Sequence, residues 1–275
     1  MKVLLFGATG MVGQGVLREC LLDPGVESVL AVTRTPIKTE HPKLRQLQHQ
    51  DFTNFAPVES QLTGYDACFF CLGISSVGMS EPDYRRITRD FTDFSTVAAE
   101  LTGYDATFFC LGVSSVGMKE ADYRHITYDF TLAAAGVLAR QNPGMTFIYV
   151  SGTSTDSTEK GRSMWARVKG QTENALLRLP FRAAYMFRPG AILAMHGIRP
   201  KSRFYRAAYV VAAPILPVLK ALFPKYVITT EQVGRAMIAV ARGGAEKKLL
   251  ENRDISAIAE RAPTPAPTPT LAPPA

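Results

Sequence analysis

Residues 2–13 read KVLLFGATGMVG, and this stretch decides the fold. The run KVLLF predicts a short apolar strand, and the residues after the glycines predict a helix that ends near Leu22. Gly7 permits a tight turn after the strand, Gly10 lets the backbone approach a ligand, and Gly13 allows the helix to pack closely on the strand. A strand, a glycine turn and a helix in this order predict the start of a βαβ unit.

Strand and helix patterns alternate along the rest of the chain. The apolar runs that predict strands are 2–6, 28–33, 44–49, 67–72, 106–111, 146–150 and 184–188. Apolar strands separated by helices indicate a parallel sheet that is covered on both faces. We therefore predict an α/β, Rossmann-like doubly wound fold for a single domain over residues 1–260. The Pro/Ala/Thr-rich tail, 261–275, is predicted to be disordered.

A tandem repeat interrupts this pattern. Residues 51–89 and 90–128 agree at 27 of 39 positions, and each copy contains one predicted strand. Removing one block from the 275 residues leaves 236, a size that suits one α/β domain. Where copy 1 reads PVESQ, copy 2 reads TVAAE, so a helix breaker is lost and two alanines are gained. The pattern predicts an inserted strand–helix unit whose helix begins at Glu81.

The two repeated strands have two alternative placements. In the first, both enter the sheet in the order 3-2-1-4-4′-5-6, and the strand of copy 1 borders the first strand. This order displaces everything after the repeat from the glycine turn by one strand spacing, about 4.8 Å. In the second, copy 2 takes the native position, and copy 1 is extruded or exchanged with a partner chain. We favour the first, because the second must bury an apolar strand elsewhere.

The glycine turn predicts a site for the phosphates of a dinucleotide. A helix N-terminus offers amide donors and the positive end of the helix dipole to such groups. Arg34 follows the second strand, where an NAD site usually has an acidic residue, and an arginine suits a 2′-phosphate. NADP(H) is therefore the preferred cofactor, and NAD(H) is the alternative. A purely structural glycine turn and a solvated surface role for Arg34 stay open.

Composition and local patterns argue against other classes of protein. The formal charge is +7, but Lys and Arg are scattered, so no nucleic-acid partner is expected. Four cysteines without secretory spacing or a signal peptide predict a cytoplasmic protein. Cys68 and Cys71 are interpreted as buried strand residues. The apolar run 207–219, interrupted by Pro214 and Pro217, indicates a substrate-pocket or dimer-forming hairpin, with peripheral membrane contact as the alternative.

Several stretches carry a family resemblance. GATGMVG at 7–13, YVSGTSTDSTEKGRSMWARVKGQTENAL at 149–176 and FRPGAI at 187–192 resemble the short-chain dehydrogenase/reductase superfamily. The similarity is closer to its atypical branch, with the Tat-interacting-protein oxidoreductases and the bacterial proteins labelled NAD-dependent epimerases. KLLENRDI at 248–255 is also similar to that branch. The resemblance covers roughly residues 1–258, apart from the extra block.

The resemblance implies an active site with one departure. In the superfamily, a Ser or Thr after the fifth strand acts with a Tyr and with a Lys four residues after that Tyr. Ser151 matches the serine, with Thr153 and Ser154 as further candidates, and Lys169 matches the lysine, which holds the nicotinamide ribose. Trp165 stands in the position of the tyrosine. An indole N–H donates a hydrogen bond but does not exchange a proton near neutral pH.

The predicted cofactor contacts lie in the glycine turn and near the ends of strands. They comprise Gly7, Thr9, Gly10, Met11, Val12, Gly13, Arg34, Asp51, Phe52, Cys71, Leu72, Gly73, Lys169, Pro189, Gly190 and Ile192. The resemblance places His196, Arg199 and Arg203 around a small-molecule substrate, with His196 as a substitute acid or an ordinary loop residue. No metal site is predicted.

Three functions follow from these observations. The first is an NADP(H)-dependent oxidoreductase that acts weakly on a small carbonyl or hydroxyl substrate. The second is a non-catalytic NADP(H)-binding sensor or scaffold, which both Trp165 and the insertion permit. The third is a membrane-peripheral binding module built on residues 207–219. The substrate and the oligomeric state stay open.

Overall fold

The computed structural model describes residues 1–51, 55–74, 102–196, 198 and 226–263. Several sequence predictions concern residues outside these ranges and stay predictions. They are the contact at Phe52, the helix from Glu81, the roles of Arg199 and Arg203, the apolar run 207–219 and the disorder of the tail beyond residue 263.

A parallel sheet of eight strands forms the centre of the described structure. Its strands in chain order are β1 (Lys2–Phe6), β2 (Ser28–Thr33), β3 (Leu44–Gln48), β4 (Ala67–Phe70), β6 (Ala106–Phe109), β8 (Thr146–Val150), β9 (Ala183–Arg188) and β12 (Leu249–Glu251). Their order across the sheet is β12-β9-β8-β6-β4-β1-β2-β3. Two separate parallel pairs are formed by β5 (Gly73–Ile74) with β7 (Gly112–Val113), and by β10 (Ala191–Leu193) with β11 (Val227–Thr229).

Helices cover both faces of this sheet. They are α1 (Met11–Leu22), α2 (Glu120–Arg124), α3 (Phe130–Gln141), α4 (Met164–Leu176), α5 (Thr230–Gly243) and α6 (Asn252–Arg261), with a 3-10 helix at Ala56–Gln61 and a π-helical turn at His125–Asp129 that joins α2 to α3. Side chains of α1, α5 and α6 pack on one face, and side chains of α3 and α4 pack on the other. The predicted α/β, Rossmann-like fold is confirmed. Within the described residues, no helix has the length and apolar character needed to cross a membrane.

The predicted strand bounds need small corrections. The strands predicted at 44–49, 67–72 and 106–111 end one or two residues earlier, and the strand predicted from residue 184 begins at Ala183. The short strands β5, β7, β10, β11 and β12 were not predicted. Each has only two or three residues, too few to show an alternating pattern.

The strands of the two repeat copies lie side by side. In the β4–β6 register, Phe69 pairs with Phe108 and Phe70 pairs with Phe109, so each residue lies beside its counterpart in the other copy. The Phe69 and Phe108 rings meet edge to face at 4.4 Å, and the Phe70 and Phe109 rings stack at 5.8 Å. The placement with both strands in the sheet is therefore confirmed. The extruded placement is wrong for this structure.

The extra strand increases the distance across the sheet. The Cys71 amide donates to the Phe6 carbonyl at 3.0 Å, so copy 1 borders β1. The Cys110 amide donates to the Phe70 carbonyl at 2.9 Å, so copy 2 borders copy 1. Because β4 and β6 both separate β1 from β8, these two strands lie roughly 14 Å apart, one spacing more than a single copy would give.

Candidate functional site

Close backbone contacts explain two of the glycines after β1. Gly7 has a φ of +77°, and a Cβ at this position would lie 2.4 Å from the carbonyl oxygen of Cys71. A Cβ at Gly13 would lie 2.1 Å from the carbonyl oxygen of Gly7. Neither position has room for a side chain, so the first turn of α1 packs directly on the end of β1.

The N-terminus of α1 lies at a topological switch point. On one side of β1 the sheet continues through β2 and β3, and on the other side through β4 and β6. Gly10 precedes the helix, and Thr9 accepts a hydrogen bond from the Gln14 side chain at 3.0 Å. Met11 and Val12 form the first turn with Gly13. In open α/β sheets, ligands bind in the crevice at such a point.

The crevice beside this helix is bordered by copy 1 of the repeat. Cys71 is buried and Leu72 is half-buried directly after β4, and Gly73 begins β5. The carbonyl oxygen of Cys71 comes within 3.7 Å of a Cβ built on Gly10. The structure therefore brings these predicted contacts to the glycine turn.

The end of β2 contains a buried hydroxyl that sequence reasoning missed. Thr33 is 4% exposed, and its Oγ1 has no hydrogen-bond partner among the described residues. Arg34 follows it and is exposed, and its carbonyl oxygen accepts from the Gln50 side chain at 2.6 Å. Asp51 is also exposed, three residues after β3. Thr33 ends β2, Arg34 follows it, and Asp51 follows the neighbouring parallel strand β3, so all three lie at the same edge of the sheet.

Ser151 follows β8, but its hydroxyl is directed into the protein. The residue is 7% exposed, and its Oγ donates to Oε1 of Glu173 at 2.5 Å. Its amide donates to the Phe187 carbonyl at 2.9 Å. The hydroxyl therefore lies in the contact between the sheet and α4. Thr153 is half-buried, and Ser154 is exposed with a φ of +67°.

Glu173 is the centre of a buried charge network. Its Oε1 accepts from Arg188 Nε at 3.0 Å, and its Oε2 accepts from Arg188 Nη2. Arg188 also donates to Glu251 at 3.1 Å and to Ser157 at 2.5 Å. A buried carboxylate of this kind requires such a partner. The sequence analysis did not name Glu173. The feature that could have pointed to it is its position four residues after Lys169, on the same face of the helix.

Lys169 lies on α4 beside the end of β8. It is half-buried, and its Nζ donates to the main-chain carbonyl oxygen of Ser151. Burial lowers the pKa of Lys169 to about 8, although the Glu173 carboxylate acts in the opposite direction. Trp165 is one turn earlier on the same helix and is half-buried. The structure thus brings Ser151 and Lys169 together, whereas β4 and β6 separate both from the glycine turn.

The segment after β9 connects this region to β10. The Pro189 carbonyl accepts from the Thr153 amide at 2.9 Å, and a Cβ on Gly190 would lie 2.1 Å from the carbonyl oxygen of Tyr226. Ile192 is half-buried on β10. Pro189 and Gly190 are therefore held at the end of β8, next to the candidate serine and threonine residues.

His196 and the two cysteines of copy 1 are further residues whose type could support chemistry. The His196 ring lies 3.2 Å from Glu231, in the first turn of α5. Cys68 and Cys71 are buried, and burial raises the pKa of Cys68, which keeps its thiol protonated. In the described ranges, no group of three or more His, Cys, Asp or Glu residues could hold a metal ion.

Comparison with solved structures shows a shared fold. The NAD⁺ complex of the Bordetella bronchiseptica enzyme WbmF matches with a TM-score of 0.51 and 15% identity, over 94% of this chain and 77% of that one. A short-chain dehydrogenase/reductase-family oxidoreductase from Burkholderia thailandensis matches with a TM-score of 0.50 and 13% identity, over 93% and 92%. The thiolation-reductase di-domain of an archaeal non-ribosomal peptide synthetase matches with a TM-score of 0.50 and 12% identity, over 87% and 67%.

The identities in these matches are low, so the likeness concerns the fold. The Rossmann-like fold that the sequence resemblance implied is confirmed, and it is shared with the NAD⁺ complex of WbmF and with the short-chain dehydrogenase/reductase-family oxidoreductase. No protein-family model matches the chain, and no curated protein matches it.

Proposed function

We propose that the protein binds NADP(H) at the N-terminus of α1 and acts as an oxidoreductase of low turnover on a small carbonyl or hydroxyl substrate. The observation that carries this proposal is the glycine turn at the switch point between β2 and β4. The amides of the first turn of α1 lie at this edge of the sheet. The crevice beside them is bordered by backbone atoms and not by side chains. This combination suits a pyrophosphate.

The residues present fit this cofactor. Gly7 and Gly13 leave no side chain above the helix N-terminus, where a pyrophosphate would lie against the backbone amides. Arg34 follows Thr33 and supplies a cation for a 2′-phosphate. When bound, NADP(H) would exchange a hydride with the substrate, and Lys169 is the residue that would hold its nicotinamide ribose.

The cofactor preference is tested at Arg34. For Arg34→Ala we expect NADPH affinity to fall on the order of 10- to 100-fold, because hydrogen bonds to charged groups contribute about 1.5–3 kcal/mol. NADH affinity should change less than about threefold, since NADH has no 2′-phosphate. Fluorescence titration of the purified protein measures both. Arg178→Ala, an exposed arginine just after the C-terminal end of α4, is the matched control. Equal NADPH and NADH affinities in the unmodified protein would reject the preference.

Low turnover is proposed for two separate reasons. Trp165 provides no exchangeable proton where the related enzymes have a tyrosine, and acid–base help contributes about 10²–10⁴-fold in rate. The extra strand also moves Ser151 and Lys169 by one strand spacing, about 4.8 Å. A misplacement of about 1 Å can already reduce a rate roughly 10²-fold. The displacement is therefore expected to be the larger defect.

Two variants separate these causes. Deletion of residues 51–89 leaves copy 2 as the only repeat unit and should restore the shorter distance. We expect this deletion to raise NADPH oxidation with a panel of aldehydes and ketones, and Trp165→Tyr to raise it further in the deleted background. NADPH affinity, measured in parallel, controls for loss of the fold. Equal turnover of the deleted and full-length proteins would sink the displacement explanation.

A second candidate function is a non-catalytic NADP(H)-binding sensor or scaffold. It is favoured by Trp165 together with the confirmed strand order, since both weaken chemistry and neither disturbs the glycine turn. NADPH binding without NADPH oxidation, in the full-length protein and in both variants, would select this function.

A further inference from the structure

The amine of Lys169 has unusual surroundings. Its hydrogen-bond acceptor is a neutral main-chain carbonyl, that of Ser151, and no carboxylate forms an ion pair with it among the residues that the structure describes. Glu173 is one helical turn away, but both of its oxygens accept from Arg188, and Oε1 also accepts from Ser151. The charged groups nearest to Lys169 are therefore already paired with each other.

This arrangement favours the neutral amine. Burial without a counter-ion lowers the pKa of Lys169 to about 8, so roughly a tenth of the molecules contain the free amine at pH 7. A carbonyl oxygen only accepts hydrogen bonds, so the contact with Ser151 uses an N–H and leaves the nitrogen lone pair available. Lys169 is half-buried, so part of its side chain lies at the protein surface at this edge of the sheet.

We propose that Lys169 is a carbonyl-reactive amine that captures small aldehydes or ketones as a Schiff base. The nitrogen attacks the carbonyl carbon, a C–N bond forms, and a proton moves from nitrogen to the carbonyl oxygen. Loss of one water molecule then gives the imine, with no oxidant or reductant consumed. The proposal rests on the proposed function only for the substrate class, because this step uses no NADP(H). It also needs no tyrosine, so Trp165 does not prevent it.

Reductive trapping tests the proposal directly. The full-length protein is incubated with butanal and cyanoborohydride between pH 6 and 10, and the alkylated lysines are quantified by peptide mass spectrometry. The free-amine fraction of Lys169 at pH 7 is roughly 300-fold that of an ordinary lysine. Its lower basicity reduces nucleophilicity, so we expect trapping on the order of 10- to 100-fold faster than at Lys160, an exposed lysine before α4. The Lys169 rate should rise with a midpoint near pH 8.

Two variants complete the test. Lys169→Arg should abolish the modified peptide, because a guanidinium does not form the imine. Glu173→Gln should shift the midpoint to lower pH, because the carboxylate that favours the ammonium form is removed. If that variant does not fold, the pH profile of the unmodified protein decides by itself.

The outcome is independent of cofactor binding. A Lys169 trapping rate no faster than that of Lys160, or a midpoint at or above pH 10, would overturn the proposal even if NADPH binds. Rapid trapping in a protein that binds neither NADPH nor NADH would support it while rejecting the proposed oxidoreductase.

Discussion

Glu19 allows a sharp test of the packing between α1 and α5. This glutamate is 2% exposed on α1, and a Cβ on Gly234 of α5 would lie 2.9 Å from its Cγ. Its Oε1 accepts from Arg18, whereas its Oε2 has no hydrogen-bond partner among the described residues. Burial raises the pKa of Glu19 from 4.5 to about 7, with Arg18 opposing the shift. We expect Glu19→Gln to change the pH dependence of stability.

The size and the sign of the pH-dependent change in stability follow from the pKa of Glu19. Because the folded protein holds the proton of Glu19 more tightly than the unfolded chain, its stabilising effect is complete below pH 4.5 and is lost as pH rises to about 7. The total loss is roughly 3 kcal/mol, since each pKa unit corresponds to about 1.4 kcal/mol. Glutamine does not ionise, but its buried amide adds N–H donors that need partners. The variant should therefore be about 1–3 kcal/mol more stable than the unmodified protein at pH 8, and within about 1 kcal/mol of it at pH 5.

Urea unfolding at pH 5, 6, 7 and 8, at constant ionic strength, measures the effect. The difference in free energy of unfolding between Glu19→Gln and the unmodified protein should grow between pH 5 and pH 8. Glu27→Gln, which removes an exposed carboxyl just before β2, is the matched control. Parallel curves for the Glu19 variant and the unmodified protein across this range would refute the reasoning, because they would mean that Glu19 ionises with similar ease in both states.

Three further predictions concern packing and buried polar groups, each measured by urea unfolding at pH 7. Thr107→Val should stabilise the protein by about 1 kcal/mol, because the buried hydroxyl has no partner among the described residues, and a loss of stability would contradict this. Gly13→Ala should cost about 1–3 kcal/mol through its clash with the glycine turn, whereas Gly136→Ala on α3, whose Cβ would make an ordinary contact with the Arg140 side chain at 3.6 Å, should gain about 0.5–1 kcal/mol. Glu173→Gln should cost about 3–5 kcal/mol because Arg188 loses its buried carboxylate and keeps only that of the exposed Glu251, and a loss below 1 kcal/mol would argue against that network.

The strand–turn–helix at the N-terminus was predictable because each of its features is local. The apolar run of β1, the three glycines and the end of α1 at Leu22 all lie within 22 consecutive residues, and the structure has them as predicted. The sequence also favoured the placement of both repeat copies in the sheet, because two apolar strands must be buried, but it left extrusion of copy 1 as an alternative.

Several features of the candidate site depend on contacts between residues far apart in the chain. The direction of the Ser151 hydroxyl results from Glu173, 22 residues later. The buried hydroxyl of Thr33 and the packing of Glu19 against Gly234 also arise between separate elements. Periodicity describes which face of an element is buried, but it contains no information on which polar atoms meet there.

By itself, the sequence determined the class of fold, the glycine turn and the presence of two equivalent strands, because local propensity and apolar pattern are sufficient for these. Only the tertiary structure decided that β4 and β6 both lie between the glycine turn and Lys169, and that the Lys169 amine contacts a neutral carbonyl. Both results depend on strand pairing and on desolvation, which act through space and are fixed only when the whole sheet has formed.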